Sequence, residues 1–351
     1  MSSTPARRPT MRPTMRDVAS VAGVSLKTVS RVINREVGVR PELAQRVDDA
    51  VRLLGFRPDD RARNLRRSDS GPASIGFAML DVANPFFSGL LRGLDDAATE
   101  RGCLVLSGNS DGDPARQERI IESFIDRRVA GLVVVSCGDG LGPIHAEILR
   151  GTPVVFLDRE PANHQSDVVR SDHFGGAVEL TEHLIANGHT AIGFLGDDPN
   201  IFSARLRCDG FRSGMAAAQL PVHEEWCLTG HYRPDEWCSV VKAWFDQLDE
   251  RPTALVCGQN FVTMGATKAL HDLELQHRIA LVGFDDFELS DVLRPGITVI
   301  PQWPQVLGRL AAELIFRRLD GFDGPPVRDV VATHIIQRGS GEIPGPVTNN
   351  R

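Results

Sequence analysis

The chain has 351 residues, 42% of them hydrophobic and 24% charged, a length that suits two or three domains and a composition that excludes disordered, collagen-like and disulfide-stapled chains. No apolar stretch approaches the ~20 residues needed to cross a bilayer, and the first thirty residues lack the apolar core of a signal peptide. Six scattered cysteines without a C-x-x-C pair read as reduced thiols of a cytoplasmic protein. Charge is unevenly spread: residues 1–67 hold 15 Lys+Arg against 7 Asp+Glu, net +8, and the remainder is net −15. A basic head on an acidic body points to a polyanion met by the head alone, with a basic solvated tail as the plainer alternative.

Residues 1–13 are Pro, Arg, Ser and Thr without periodicity, which predicts a disordered arm. Thr14-Met15-Arg16-Asp17 then has the form of a capping box opening a helix through Val18, Ala19 and Ala22. Gly23 supplies a tight turn and Ser25 caps a second helix. There Val29, Val32 and Ile33 form an inward stripe, and Leu26, Lys27, Ser30 and Arg31 face outward. A third helix is expected from Pro41, with Leu43, Val47, Val51 and Leu54 inward and Gly55 as its stop. Helix, glycine turn and a second helix with a polar outer face make a geometry that enters the DNA major groove, although any small three-helix bundle would share the apolar pattern. Ser68-Asp69-Ser70-Gly71-Pro72 reads as a linker.

Beyond the linker the texture changes. Short Val/Ile/Leu/Phe runs near 74–80, 103–107, 131–135, 153–157, 191–195, 253–257 and 279–284 alternate with amphipathic stretches, which predicts βαβ units and mostly parallel sheet. Their number exceeds one comfortable sheet, so two α/β lobes are expected. Residues 339–351 are expected to form a flexible tail.

The head motif Thr14-x-x-Asp17-Val18-Ala19-x-x-Ala22-Gly23-Val24-Ser25-x-x-Thr28-Val29-Ser30-Arg31-Val32-x-Asn34 closely resembles the DNA-binding signature of the lactose repressor (LacI/GalR) family. The resemblance extends over about residues 14–338. It implies a small all-α helix-turn-helix head (14–57), a hinge helix and linker (58–72), and an α/β two-lobed, periplasmic-binding-protein-like effector and dimerisation domain (73–338). By resemblance Leu26, Lys27 and Arg31 sit at base-reading positions. Arg31 is suited to a guanine edge, Lys27 to guanine acceptors and Leu26 to a thymine methyl. Thr14, Met15, Ser25, Thr28, Ser30 and Asn34 are assigned to the same DNA surface, mainly as caps and backbone positioners. In Pro58-Asp59-Asp60-Arg61-Ala62-Arg63-Asn64-Leu65 the family's hinge spacing recurs. Leu65 matches its minor-groove wedge, Ala62 its hinge alanine, and Arg57 and Arg61 lie among the arginines able to neutralise phosphates.

In the body, the resemblance places a small-ligand cleft at strand ends. Asn84, Phe86 and Phe87 follow the first strand. Asp158 and Arg159 follow the strand Val154–Leu157. Ser203 and Arg207 project from one helix, and Asp285 and Gln302 close later strands. Tyr232 is a candidate ring-packing face. Gln259 stands where the family commonly has Asn, which re-aims that wall, and Trp303 is unusual. Carboxylates that accept, arginines that donate and amides that do both suit the hydroxyls of a monosaccharide, with nucleobase, nucleoside or phosphorylated sugar as other occupants. His145, His164, His173, His183 and His189 lack metal-ligand spacing and read as surface or capping residues. No cofactor and no metal is expected.

The resulting expectation is a cytoplasmic, nucleoid-associated homodimer that binds a near-palindromic operator, has no membrane partner and is switched by a small effector. It is expected to act as a repressor of carbohydrate genes. A sugar-binding protein without a DNA role predicts a secretion signal and no helix-turn-helix. A sugar-acting enzyme predicts a P-loop, nucleophile elbow or dinucleotide fingerprint, and none is present.

Overall fold

The computed structural model describes residues 15–33, 39–54, 73–138, 140, 142–162 and 164–346. They fall in two compact units, divided between Gly71 and Pro72.

The first unit contains three helices, α1 (Met15–Ala22), α2 (Leu26–Ile33) and α3 (Pro41–Leu54). Val18 and Ala22 lie one helical turn apart, so both reach the same core, where Val29, Val47 and Ala50 join them. Gly23 adopts φ +60°, the left-handed region that favours glycine. α3 starts without a side-chain cap at Arg40, whose carbonyl accepts from Leu43 and Ala44.

The second unit runs β1 (Ser74–Met79), α4 (Pro85–Glu100), β2 (Leu104–Asn109), α5 (Pro114–Asp126), β3 (Gly131–Val134), α6 (Pro143–Leu149), β4 (Val154–Leu157) and β5 (Asp167–Ser171). It continues with α7 (His173–Ala186), β6 (Ile192–Gly196), α8 (Phe202–Ala217), β7 (Cys227–Thr229), α9 (Trp237–Gln247), β8 (Ala254–Cys257), α10 (Asn260–Asp272), β9 (Ala280–Phe284) and β10 (Thr298–Ile300). α11 (Pro304–Leu319) and β11 (Arg328–Val331) complete it. One sheet has the order β11-β5-β4-β3-β1-β2, the other β10-β9-β8-β6-β7, and every neighbouring pair is parallel. The central strands are buried on both faces by helices, which is why they are continuous apolar runs rather than alternating ones.

The chain crosses between lobes three times. β5 ends in the first sheet and α7 packs on the second lobe. After β10, α11 returns to lie on α4 of the first lobe. After β11 the backbone goes back, and Ile336 pairs with Val299. α4 and α11 approach closely: a Cβ on Gly93 would stand 1.9 Å from the Gln305 carbonyl oxygen, and one on Gly308 2.1 Å from that of Leu90. Gly308→Ala must therefore push backbone against backbone. It is expected to cost about 1–3 kcal/mol and lower the thermal midpoint by several degrees; an unchanged midpoint would show that the two helices slide apart freely.

The seven apolar runs each lie on a strand, and β10 covers Thr298–Ile300 within a further short apolar stretch that begins at Ile297. β5, β7 and β11 carry no such run. β7 and β11 are short edge strands, and β5 mixes Asp167, Arg170 and Ser171 with its valines. The expected start of a flexible tail at 339 is overturned as far as 346. Ser340 is buried, its hydroxyl donating to the Leu281 carbonyl and accepting from the Thr298 amide. The Glu342 carboxylate accepts from Gly339 N–H and Thr298 Oγ1 and pairs with His183 at 2.6 Å. His189 bonds the Ile343 carbonyl at 2.8 Å, and Gly345 N–H donates to the Asn187 carbonyl. A polar, Gly/Pro-rich stretch thus completes the second lobe. Residues 347–351 and the arm 1–13 lie outside the described residues. Among the described residues no helix is long and apolar enough to cross a membrane, and the six cysteines are free.

Candidate functional site

In the head, Ser25 Oγ accepts from Thr28 N–H at 3.1 Å and meets Thr28 Oγ1 at 2.9 Å, a side-chain cap on α2. Burial of Val29 turns the opposite face outward: Leu26 is 46% exposed and Lys27 is exposed, while Ser30 and Arg31 are half-buried. Met15 opens α1. Of the other DNA-contact candidates, Thr14, Asn34, Arg57, Arg61, Ala62 and Leu65 lie outside the described residues, as does the whole hinge 58–72.

In the body, strand ends from both lobes bring charged groups together. Asp158, just past β4, is 3% exposed at φ +65°, and Asp285, just past β9, is 6% exposed at φ +70°. Such backbone is uncommon outside glycine and re-aims the carboxylate off the end of its strand. Arg207, on α8, is 5% exposed. Its Nη1 donates to the Gly258 carbonyl at 2.6 Å, its Nη2 donates to His173 Nδ1 at 3.2 Å, and its guanidinium lies over the Phe284 ring at 4.1 Å. Gln302 is buried, and its Nε2 donates to Asp285 Oδ1. Arg159 Nε stands 3.7 Å from Asp158 Oδ2. Ser203 is buried in the first turn of α8.

The two carboxylates are driven apart electrostatically. Burial alone would raise Asp158, but His173, Arg159 and Arg207 outweigh it and hold its pKa below the usual carboxylate value. Burial raises Asp285, against the pull of Arg207 and the Gln302 hydrogen bond, and Asp158 adds to the rise. Four buried atoms of this group lack a well-formed hydrogen bond: Asp158 Oδ1, which has only His173 Nε2 at 3.3 Å, and Gln302 Oε1, which accept, and Arg159 Nε and Arg207 Nε, which donate. Buried polar atoms are seldom left so, and two unmet donors beside two unmet acceptors complement a polyhydroxylated small molecule.

Other candidates are placed differently. Asn84 caps α4 through Phe86 N–H, and its amide also pairs with that of Asn260 across the lobes at 2.8 and 3.4 Å. Phe86 and Phe87 meet edge to face at 5.2 Å and belong to the apolar core of the first lobe. Tyr232 stands edge-on to Trp237 at 5.0 Å and packs on the second lobe's core. Gln259 has both ends of its amide engaged: its Oε1 caps α10 through Phe261 N–H and its Nε2 donates to Asp197. The next residue, Asn260, is 1% exposed and sends its backbone N–H to Asp285. Trp303 is 48% exposed at the start of α11 with φ +53°. Asp286 is bound by the Arg338 fork at 2.7 Å on both oxygens, a fixture of the loop 286–290 rather than part of the cleft.

Asn260 and His173 were missed by sequence reasoning. Asp172 separates His173 from the end of β5, and that strand carries no continuous apolar run to mark its end in the sequence. The surface or capping expectation fails for His164, His173 and His189, which are buried. His145 is exposed, and His183 holds the C-terminal stretch. No cluster able to hold a metal occurs among the described residues.

A helix-turn-helix unit followed by a two-lobed receptor with unmet buried hydrogen bonds defines a ligand-responsive DNA-binding protein. The pattern of the bacterial regulatory proteins of the lacI family matches residues 14–59, and that of the periplasmic binding protein-like domain matches residues 181–341. The ribose operon repressor of Escherichia coli (strain K12) is 32% identical over 337 residues, 93% of this chain and 99% of the relative. The HTH-type transcriptional repressor PurR of Haemophilus influenzae (strain PittEE) is 30% identical over 311 residues, 87% and 91% of the two chains. The transcriptional regulator CelR, solved as its cellobiose complex, superposes with TM-score 0.69 at 27% identity, covering 94% of this chain and 100% of that one. The chain belongs to the lacI family of bacterial regulatory proteins. It is a DNA-binding transcriptional regulator with a periplasmic-binding-protein-like body, and not an enzyme.

Proposed function

We propose that this regulator is a cytoplasmic homodimeric repressor of carbohydrate transport or catabolism genes, controlled by a monosaccharide held between its lobes. The observation that carries the effector reading is the set of unmet atoms on Asp158, Arg159, Arg207 and Gln302. A sugar hydroxyl both donates and accepts, so neighbouring hydroxyls can satisfy a carboxylate and a guanidinium together. The similarity to a ribose operon repressor supports a pentose in particular. Two heads on one dimer would read the halves of a near-palindromic operator through Leu26, Lys27 and Arg31. Thr14, Met15, Ser25, Thr28, Ser30 and Asn34 would position the backbone, and Arg57, Arg61, Ala62 and Leu65 would engage the hinge site. An effector that binds one lobe arrangement better than another shifts the population of DNA-competent dimers.

The test is recovery of fragments bound by the purified protein from fragmented genomic DNA of its source, with and without D-ribose and other monosaccharides. A few sites sharing a near-palindrome, lying beside sugar transport or catabolism genes and lost or gained with one sugar, are expected. Random fragments under every condition would sink the operator reading. Sites that respond only to nucleobases would replace the sugar.

A further inference from the structure

We propose that His173 is a positioning residue of the effector site: a neutral imidazole, protonated on Nε2, that ties Asp158 of the first lobe to Arg207 of the second and holds Arg207 with its Nε free for a ligand oxygen. This rests on the effector reading given above. His173 is the first residue of α7, immediately after the chain crosses from one lobe to the other, and it is fully buried. Arginine is only a donor, so the 3.2 Å contact from Arg207 Nη2 requires a lone pair on Nδ1. The single proton of a neutral ring then sits on Nε2, which donates to the Asp158 carbonyl oxygen at 3.4 Å and lies 3.3 Å from Oδ1. Chemistry thus assigns the tautomer, and the ring becomes a directional link between two groups on different lobes.

Two further contacts make the link specific. Arg207 Nη1 is held by the Gly258 carbonyl and its plane by the Phe284 ring, so the Nη2 bond to His173 is the third restraint on the guanidinium. The His173 ring itself lies 6.0 Å from Phe284. The charged groups around it are Asp158, just past β4, and Arg207 on α8; Arg159 follows Asp158 in the chain, and Asp285 follows Phe284, whose ring faces His173. Its neighbour Asp172 is spent capping Gly175 N–H. A second proton would set an N–H against the guanidinium and a positive ring beside a positive arginine. Burial and Arg207 both lower the His173 pKa, and their pull exceeds that of Asp158 in the other direction. The neutral form therefore persists below the ordinary histidine range. Its contribution to stability is complete above an unfolded pKa of about 6.5 and is lost as pH falls below that value, because the unfolded chain then binds the proton that the native chain refuses.

The experiment uses the full chain. Histidine-selective 15N NMR, assigned by comparison with His173→Gln, reads tautomer and titration. Calorimetry with D-ribose and a panel of other monosaccharides between pH 5 and 8 reads affinity for wild type, His173→Gln and His173→Phe. The expected result is an Nε2-protonated neutral ring whose shifts do not move between pH 8 and 6. A loss of about tenfold or more in sugar affinity is expected for His173→Phe, which removes both bonds, with recovery to within about threefold of wild type in His173→Gln, whose amide can accept and donate. A midpoint near 6.5, an Nδ1-protonated ring, or wild-type affinity in His173→Phe overturns the proposal. Should wild type bind no monosaccharide, the sugar reading fails while the tautomer and titration still decide the bridge. Should His173→Phe not fold, the NMR arm and His173→Gln decide it.

Discussion

Arg207→Ala is expected to abolish the effector response while leaving operator affinity intact. The substitution strips His173 Nδ1 and the Gly258 carbonyl of their donor and removes one of the cations beside Asp158. Breaking a buried, hydrogen-bonded charge network by deleting one member typically costs about 3–5 kcal/mol, because the remaining groups stay buried and uncompensated. Part of that cost falls on folding of the body. The part that falls on binding is about 2–3 kcal/mol, roughly a hundredfold in the dissociation constant of the effector sugar. The head forms a separate compact unit with its own core, so DNA binding without effector is expected within about twofold of wild type. Calorimetry with D-ribose and fluorescence anisotropy on the recovered operator measure the two terms. A normal dose response in Arg207→Ala would remove this arginine from the site. Asp285→Ala should behave likewise, since Gln302 Nε2 and Asn260 N–H lose their shared acceptor.

The second large effect is on the other unit. Arg31→Ala is expected to reduce specific operator binding to near the level of random DNA, with sugar binding unchanged. A bidentate arginine on a guanine edge is worth about 1–3 kcal/mol of discrimination, and a dimer on a near-palindrome makes the contact twice, so the loss is about 2–6 kcal/mol. Salt dependence separates base reading from phosphate contact. If Arg31 reads a base, affinity falls on the operator but hardly on random DNA, and the slope of log K against log salt is preserved. If it holds a phosphate, affinity falls on both sequences and the slope decreases by about one for each arginine removed. Preserved specific binding in Arg31→Ala would move the reading role to Lys27 or Leu26.

The head was legible because its constraints are local. Gly23 must occupy a left-handed turn, Ser25 must cap the helix that follows, and Val18, Ala22 and Val29 must share one small core. The first two demands act within about one turn of the chain and the third within two adjacent short helices, so residue type and spacing express them directly. The central strands were legible for a related reason: burial between helices on both faces demands continuous apolar runs. The short edge strands β7 and β11 were not, since much of each faces solvent or another segment and the apolar signal is diluted. The C-terminal stretch misled because its Gly, Pro and Ser suggest fraying, whereas Ser340 and Glu342 find distant partners on Leu281, Thr298 and His183.

By itself the amino-acid sequence determined that this protein has a basic helix-turn-helix head on an acidic α/β body, which residues face outward on α2, and that charged groups stand at strand ends. Those properties follow from periodicity, turn chemistry and composition, which act over a few residues. The tertiary structure alone decided which polar side chains remain unmet. It engaged both ends of the Gln259 amide, placed Asn260 opposite Asn84, sent Tyr232 onto Trp237, and put His173 between Asp158 and Arg207. Asp158, His173 and Arg207 span 49 residues of chain and two lobes, and hydrogen bonds of about 3 Å between such groups depend on how strands, crossovers and helices are finally packed.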